Sequence, residues 1–294
     1  MDILKSKSSK YFLFISLLAL VLVSFIFYIL LNINNQKKLI SNLENSLAIT
    51  KNLLEEEKRY ALSLSILLSQ DEELINAYES NNRKKAFDIV NKKINGLKKL
   101  QNSLFEVQIH TKELNTYLRS WDFSKKDIPL SSFREGLVKV KKENKPLVSI
   151  ELGKRLNIKA ISPILRNGKF IGSIEVIIGF DYLEKELKDK GYNLDILLNN
   201  KYLNIATTLK NNPKIGEFTL VNKKILDTSF DTNTLEDYGY FTDDDNAFSY
   251  FTYYSLNREK LGYFIISLKN SSKLQLNNNY ENRYINTNSK VIIQ

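Results

Sequence analysis

The stretch "NIKAISPILRNGKFIGSIEVIIG", Asn157 to Gly179, decides the fold of this chain. It predicts two strands joined at Asn167-Gly168, because Asn-Gly between two strand-like segments is the strongest short-range signal for a hairpin. In the second strand, apolar residues alternate with Ser173 and Glu175, and alternating side chains point to opposite faces. The stretch therefore predicts an antiparallel hairpin with one apolar face and one face that carries polar groups.

Other segments on the N-terminal side of this hairpin show the same alternation. "FEVQIH" begins at Phe105, "TYLRSW" at Thr116 and "LVSIELG" at Leu147. Between the last two, "SSFREGLVKV" predicts a helix, with Ser132 and Glu135 spaced as a capping box. These elements predict a first α+β module built on an antiparallel sheet.

A second, smaller group of strands follows the short predicted helix "DYLEKELKDKG", which ends at Gly191. It begins at "LDILLNN" (194–200) and includes "NAFSYFTYYSL" (246–256) and "LGYFIISLK" (261–269). Strands and helices thus recur in a second module, without a visible repeat of the residues themselves. The tail 271–294 is polar and Asn-rich. We expect an α+β chain with two antiparallel sheets.

The segment "YFLFISLLALVLVSFIFYILL", Tyr11 to Leu31, carries no charge and is long enough to span a bilayer as a helix. A signal peptide would have a shorter apolar core and a small-residue cleavage site, so we expect an uncleaved transmembrane helix. Three lysines precede it and two follow it closely. The positive-inside rule then favours a cytoplasmic location for residues 1–10. We expect the helix to lie in the inner (cytoplasmic) membrane and the bulk of the chain to be periplasmic.

Composition excludes several classes of function. The 294 residues include no cysteine and one histidine, which excludes disulfides and argues against a structural zinc site. The net charge of +10 comes from scattered lysines without a recognition-helix pattern, so we expect no nucleic-acid partner. There is no glycine-rich phosphate loop, HExxH or Gly-x-Ser-x-Gly motif. We expect a protein that is not an enzyme, with no cofactor and no metal.

A long helix is predicted at 32–70, directly after the transmembrane segment. Apolar residues recur along it at a and d spacing, but Thr50 and Glu57 interrupt the d positions. An unbroken seam would argue for a strong coiled coil. The broken seam leaves two interpretations, a weak homodimer interface or an apolar face that packs against the chain's own domain.

Two stretches carry a family resemblance. "FREGLVKVKKENKPLVSIELG" (133–153) followed by "ISPILRNGKFIGSIEV" (161–176) resembles the extracytoplasmic double Cache domain, which serves bacterial chemoreceptors, sensor histidine kinases and membrane diguanylate cyclases. The resemblance covers about residues 32–270. It implies two PAS-like modules, a membrane-distal one at 71–190 that binds a small molecule and a membrane-proximal one at 191–270.

The strand "TYLRSW" offers a candidate ligand contact. Alternation predicts Tyr117, Arg119 and Trp121 on one face, where a guanidinium between two aromatic walls would grip a carboxylate in two places. The alternative is an arginine stacked between aromatics, or one paired with Glu151 or Glu175 across the sheet.

Charged residues on the neighbouring strands complete the predicted site. Glu151, Lys159 and Glu175 fall on the less apolar faces of their strands, a mixed charge that suits an amino acid, an organic acid or an amine. His110 and Arg134 are interpreted as structural, a hydrogen-bonded strand histidine and an ion-paired arginine.

The predicted function is that of a membrane-anchored extracytoplasmic sensor for signal transduction, in which 32–70 is a signalling helix. The chain shows no second span and no kinase, cyclase or methyl-accepting region. The expectation is therefore a transducer truncated before its second span, or one that works through a partner. The alternative is a stand-alone anchored protein that binds a solute or scaffolds a complex.

Overall fold

The computed structural model describes residues 7–101, 105–222, 231–243 and 245–270. It begins with one continuous helix, α1 (Lys7–Ser69), of 63 residues. At 1.5 Å per residue this helix is about 95 Å long. The apolar side chains of its first half are exposed, and this helix is long and apolar enough to cross a membrane.

Four shorter helices and a five-stranded sheet form the first module. The helices are α2 (Glu72–Glu79), α3 (Arg83–Gln101), α4 (Glu135–Glu143) and α5 (Asp181–Asp189). The strands are β1 (Phe105–Thr111), β2 (Thr116–Arg119), β3 (Leu147–Leu152), β4 (Leu156–Arg166) and β5 (Lys169–Ile178). All pairs are antiparallel, in the order β2-β1-β5-β4-β3.

A six-stranded antiparallel sheet forms the second module, in the order β7-β8-β6-β11-β10-β9. Its strands are β6 (Asn193–Asn199), β7 (Lys214–Ile215), β8 (Phe218–Leu220), β9 (Tyr238–Thr242), β10 (Asn246–Tyr254) and β11 (Lys260–Lys269). The predicted fold class, a long apolar helix followed by two antiparallel sheets, is confirmed.

The hairpin between β4 and β5 turns at Asn167-Gly168, as predicted. Both residues have positive φ, 49° and 72°, which the tight turns of two-residue hairpins require. This turn fixes the register, which pairs Arg166 with Lys169 and places Ile161 opposite Glu175. Glu175 of β5 therefore shares a face with Lys159 of β4, which lies two residues before Ile161.

The predicted start of α4 is wrong. The helix begins at Glu135 and its N-cap is Arg134, which makes no side-chain capping bond, so Ser132 is not the cap. The Arg134 side chain is buried and contacts the sheet instead. An ion pair formed by tertiary packing has overridden the local capping signal.

Helix α1 packs on both sheets. Near the apolar segment, the Ser46 hydroxyl lies 2.7 Å from that of Ser249 on β10. Farther along, the Ser65 hydroxyl lies 2.7 Å from that of Ser162 on β4. The two serines of α1 are about 28 Å apart along its axis. The second sheet therefore contacts the part of α1 that lies closer to the apolar segment.

The a and d positions of α1 are buried against the chain itself. Leu47, Leu54, Ala61 and Leu68 belong to a hydrophobic core that includes strands of both sheets. Of the two interpretations of the broken seam, packing against the chain's own domain is confirmed, and the homodimer stays a prediction.

Candidate ligand-binding site

The two faces of the first sheet differ in chemistry. Val107 and Ile109 on β1 belong to the core that packs against α1, so the alternating Glu106, Gln108 and His110 lie on the opposite face. Antiparallel pairing continues this polar row onto β5, because Gln108 pairs with Glu175 and His110 with Ser173. The face away from α1, which we call the polar face, carries most of the buried ionisable groups of this module.

Three of the predicted site residues meet on the polar face. Glu151, Lys159 and Glu175 come from β3, β4 and β5, and each side chain is buried. The strand register explains why they meet. Lys159 pairs with Ser149, two residues before Glu151, and with Ile177, two residues after Glu175. Residues two apart on a strand share a face, so all three side chains point the same way. The expectation that these charges share one face is confirmed.

Tyr117 does not lie on the polar face, which corrects the predicted arrangement of "YLRSW". Ile109 pairs with Leu118 and His110 with Thr116, so Tyr117 is the extra residue of a β-bulge. The Tyr117 ring packs in the core beside α1, edge-on to Tyr78 at 4.8 Å. Sequence alternation could not reveal this because a bulge shifts every following side chain by one position.

Trp121 is also displaced from its predicted place. Strand β2 ends at Arg119, and Trp121 lies in the following turn with 39% of its surface exposed. The Arg119 guanidinium lies 5.5 Å from the indole ring and its Nε donates to Gln108 Oε1 at 3.2 Å. Arg119 thus stays on the polar face, at its edge, with one aromatic wall rather than two.

Arg134 is the central cation of the polar face. Its guanidinium forms an ion pair with Glu175 and lies 3.5 Å, Nε to Oε2, from Glu151. All three side chains are at most 8% exposed. The structural ion pair expected for this arginine is confirmed, and it occupies the glutamates that Arg119 was considered to pair with.

His110 adjoins the same cluster and is fully buried. Its Nδ1 lies 3.0 Å from the Ser173 hydroxyl, and its Nε2 lies 3.4 Å from Glu175 Oε2, which is long for a hydrogen bond. Burial lowers the pKa of His110, against the opposing pull of Glu175. The hydrogen-bonded structural histidine expected from the sequence is confirmed.

Opposing effects set the charge of Glu175. Burial on its own would raise the pKa of its carboxyl, but the Arg134 guanidinium, the contact with His110 and the Lys159 charge together hold that pKa below its ordinary value. Burial likewise opposes the charge of Arg134, and the two glutamates outweigh it and raise the pKa of Arg134. The pair is therefore ionised under ordinary conditions.

Several buried polar atoms of this cluster lack a hydrogen-bond partner within the described chain. They are His110 Nε2, Arg134 Nε and Glu175 Oε2. Buried polar atoms are nearly always hydrogen-bonded, and an unpaired one needs an explanation. Two of them, His110 Nε2 and Glu175 Oε2, lie 3.4 Å from each other, and Arg134 Nε lies 3.5 Å from Glu151 Oε2, so each atom is near a polar partner without a well-formed hydrogen bond.

Helix α4 and the segment before it cover the polar face. Leu137 and Val140 of α4 pack on Ile161 of β4. Gly136 brings the helix close, because a Cβ at this position would collide with the Glu151 carboxylate. Arg83 of α3 fixes the covering segment by donating to the Tyr117 and Phe123 carbonyls, each at 2.9 Å. The cover is thus held at both ends by charged side chains.

Comparison with known families agrees with this architecture. The family model described as the double sensory domain of two-component sensor kinases, dCache_3, matches residues 36–271. The chain belongs to this double Cache family. Cache sensory domains bind ligands and are not catalytic, and no group of three or more potential metal ligands occurs among the residues that the structure describes.

Solved structures resemble this Cache domain in fold. A domain of a sensory box/GGDEF family protein from Vibrio parahaemolyticus is 14% identical, with 81% of this chain and 99% of that chain covered and a TM-score of 0.52. The extracellular domain of the histidine kinase vpHK1S-Z8 is 14% identical, with 82% and 94% covered and a TM-score of 0.52. The ligand-binding domain of Campylobacter jejuni chemoreceptor Tlp3 in complex with L-valine is 15% identical, with 82% and 97% covered and a TM-score of 0.47. A search of curated protein sequences found no match.

The sequence prediction missed several residues of this Cache domain's polar face. Gln108 links Thr116 and Arg119, because its amide nitrogen donates to the Thr116 hydroxyl at 3.2 Å while its oxygen accepts from Arg119. Ser173 binds His110. The sequence did contain a signal for them, the alternating polar residues Glu106, Gln108 and His110 of β1. These side chains lie on the same face as Glu175 because β1 pairs with β5.

We expect Arg134→Met to destabilise the domain strongly. Removing the guanidinium leaves Glu151 and Glu175 buried without a countercharge, a loss of about 3–5 kcal/mol in the free energy of unfolding. Denaturant unfolding of the full chain in detergent measures it. The matched control is Arg166→Met, whose ion pairs with Glu72 and Glu79 lie at the surface, so its loss should be clearly smaller. Equal losses in the two variants would contradict the central role of Arg134.

Proposed function

We propose that this protein is a membrane-anchored extracytoplasmic sensory domain that binds a small molecule on its polar face. The observation that carries the proposal is the cluster of buried, hydrogen-bond-deficient atoms around Arg134, within a family whose members are sensory domains. Ligand groups that hydrogen-bond these atoms would remove an unfavourable desolvation term, which is a direct source of affinity.

The placement relative to the membrane follows from α1. With residues 11–31 in the inner membrane and 1–10 in the cytoplasm, the second sheet contacts α1 near the bilayer and the first sheet farther out. We therefore propose that residues 71–190 form the membrane-distal, ligand-binding module and 191–270 the membrane-proximal one. Residues 32–70 of α1 form the signalling helix that links both modules to the anchor.

The ligand class that we propose is an amino acid, an organic acid or an amine. Arg119 lies at the edge of the polar face, with its Nε on Gln108 and its ring partner Trp121 half exposed, so it can take a carboxylate as that group enters. Glu175 Oε2, whose contact with His110 is long for a hydrogen bond, suits an amine. Lys159 and Glu151 complete the proposed set.

Signalling requires two states to which the ligand binds with different affinity. The ion pairs of Arg134 connect α4 to the sheet, so a ligand that competes for them would favour a different position of α4. The first sheet is hydrogen-bonded to α1 through Ser65 and Ser162. A shift of the sheet would thereby reach the signalling helix.

We expect Arg119→Ala to weaken ligand binding without unfolding the domain. A thermal-shift screen of the full chain against amino acids, organic acids and amines first identifies a binder. Calorimetry should then show an affinity loss of about tenfold or more, since a hydrogen bond to a charged group contributes about 1.5–3 kcal/mol. Arg119→Lys should restore part of it, because lysine lacks the two-pronged guanidinium geometry.

The matched control is Tyr117→Phe, two residues away on the other face of the sheet, which should leave the affinity unchanged. A large fall in melting temperature for Arg119→Ala, with unchanged affinity in the folded fraction, would instead assign this arginine a structural role.

Protease accessibility tests the topology. Protease added to intact spheroplasts should digest residues 32–294, because we place them outside the cytoplasmic membrane. A cytoplasmic protein of the same cells serves as the control for lysis. If the chain stays intact until the spheroplasts are broken, the proposed orientation is wrong.

A further inference from the structure

Lys159 carries a buried amino group that its surroundings leave incompletely paired. Its side chain is 3% exposed, and Nζ donates to the Leu152 carbonyl at 2.9 Å. An ammonium group has three donors. Among the described residues Lys159 forms no ion pair, whereas both neighbouring glutamates are held by Arg134.

The backbone around Lys159 keeps room for its charged end. Gly153 follows β3, and a Cβ there would lie 2.8 Å from Nζ. The amino group is therefore seated against the turn between β3 and β4, and its bond to the Leu152 carbonyl is the one hydrogen bond that it makes among the residues that the structure describes. Its position on the polar face is shared with Glu151 and Glu175, which places it within the proposed site.

We propose that Lys159 is the anion-binding group in the interior of this site, beyond Arg119 at its edge, and that a ligand carboxylate binds there together with one proton. The inference rests on the proposed function and adds to it the charge of the ligand and a dependence on pH. The step forms no covalent bond: the neutral amine takes a proton from solvent, and the resulting ammonium pairs with the carboxylate.

Several charged groups face Lys159 from the surrounding elements. Burial chiefly, and then Arg134 at the start of α4, lower the pKa of Lys159 to about 7, against the opposing charges of Glu175 on β5 and Glu151 on β3. Arg155 in the β3–β4 turn also lowers it, although this arginine is itself paired with Glu106 of β1.

An arriving carboxylate would raise the pKa of Lys159 by supplying the missing countercharge. Below pH 7 the ammonium is already present, so the affinity for an anion should not vary with pH. Above pH 7 each binding event must take up a proton, and the affinity should fall by about tenfold per pH unit.

The test uses three probes of equal size on the full chain in nanodiscs: propionate, propionamide and propylamine, with L-alanine as the zwitterion. Thermal-shift titrations at pH 6.0 and 8.5 give the dissociation constants. We expect propionate and L-alanine to bind, about thirtyfold more weakly at the higher pH, and the amide and the amine not to bind. Lys159→Met should abolish propionate binding, while Lys154→Met, at an exposed position two residues after Leu152, should behave as the wild type.

A second measurement serves if Lys159→Met fails to fold. Calorimetry of the wild type with propionate at pH 8.0, in buffers of different ionisation enthalpy, should report uptake of close to one proton. Propionate binding that is independent of pH, takes up no proton or persists in Lys159→Met would overturn the inference.

The failures of the two proposals can be told apart. Binding of propylamine or propionamide without propionate would overturn the anion assignment and leave the sensory function standing. If none of the four probes binds, the inference is also overturned. The proposed function fails only if the wider screen of amino acids, organic acids and amines finds no binder.

Discussion

The structure of the first module depends on one constraint, that the carboxylates buried beneath α4 must be paired. Two glutamates on neighbouring strands share the guanidinium of Arg134, the residue at which α4 starts. Desolvating these carboxylates would be costly without that cation, so the ion pairs fix where the helix begins and how closely it covers the sheet.

Both modules also depend on α1, which packs against strands of both sheets. One helix closes an apolar side of both sheets, and Leu47, Leu54 and Ala61 pack in a single cluster with strands of both. Packed interiors transmit displacement because they are as dense as organic crystals. Under the proposed function, a displacement of the first sheet would reach the apolar segment through one continuous helix.

The sequence predicted what depends on local signals. Asn167-Gly168 located the hairpin, and strand alternation brought Glu151, Lys159 and Glu175 to one face. It failed where long-range contacts decide: the bulge at Tyr117 arises from pairing with β1, and the cap of α4 is replaced by an ion pair across the sheet. The polar row of β1 was visible in the sequence, but its meaning depended on which strand lies beside it.

The most direct test of the sensory assignment is a crystal structure of the chain with the compound that stabilises it most in the screen. We expect electron density for that compound on the polar face, between Arg119, Lys159 and Glu175 and beneath α4. Density elsewhere would contradict it, for example on the second sheet or in the surface groove that Lys85 and Lys92 of α3 line, with the ion pairs of Arg134 unchanged.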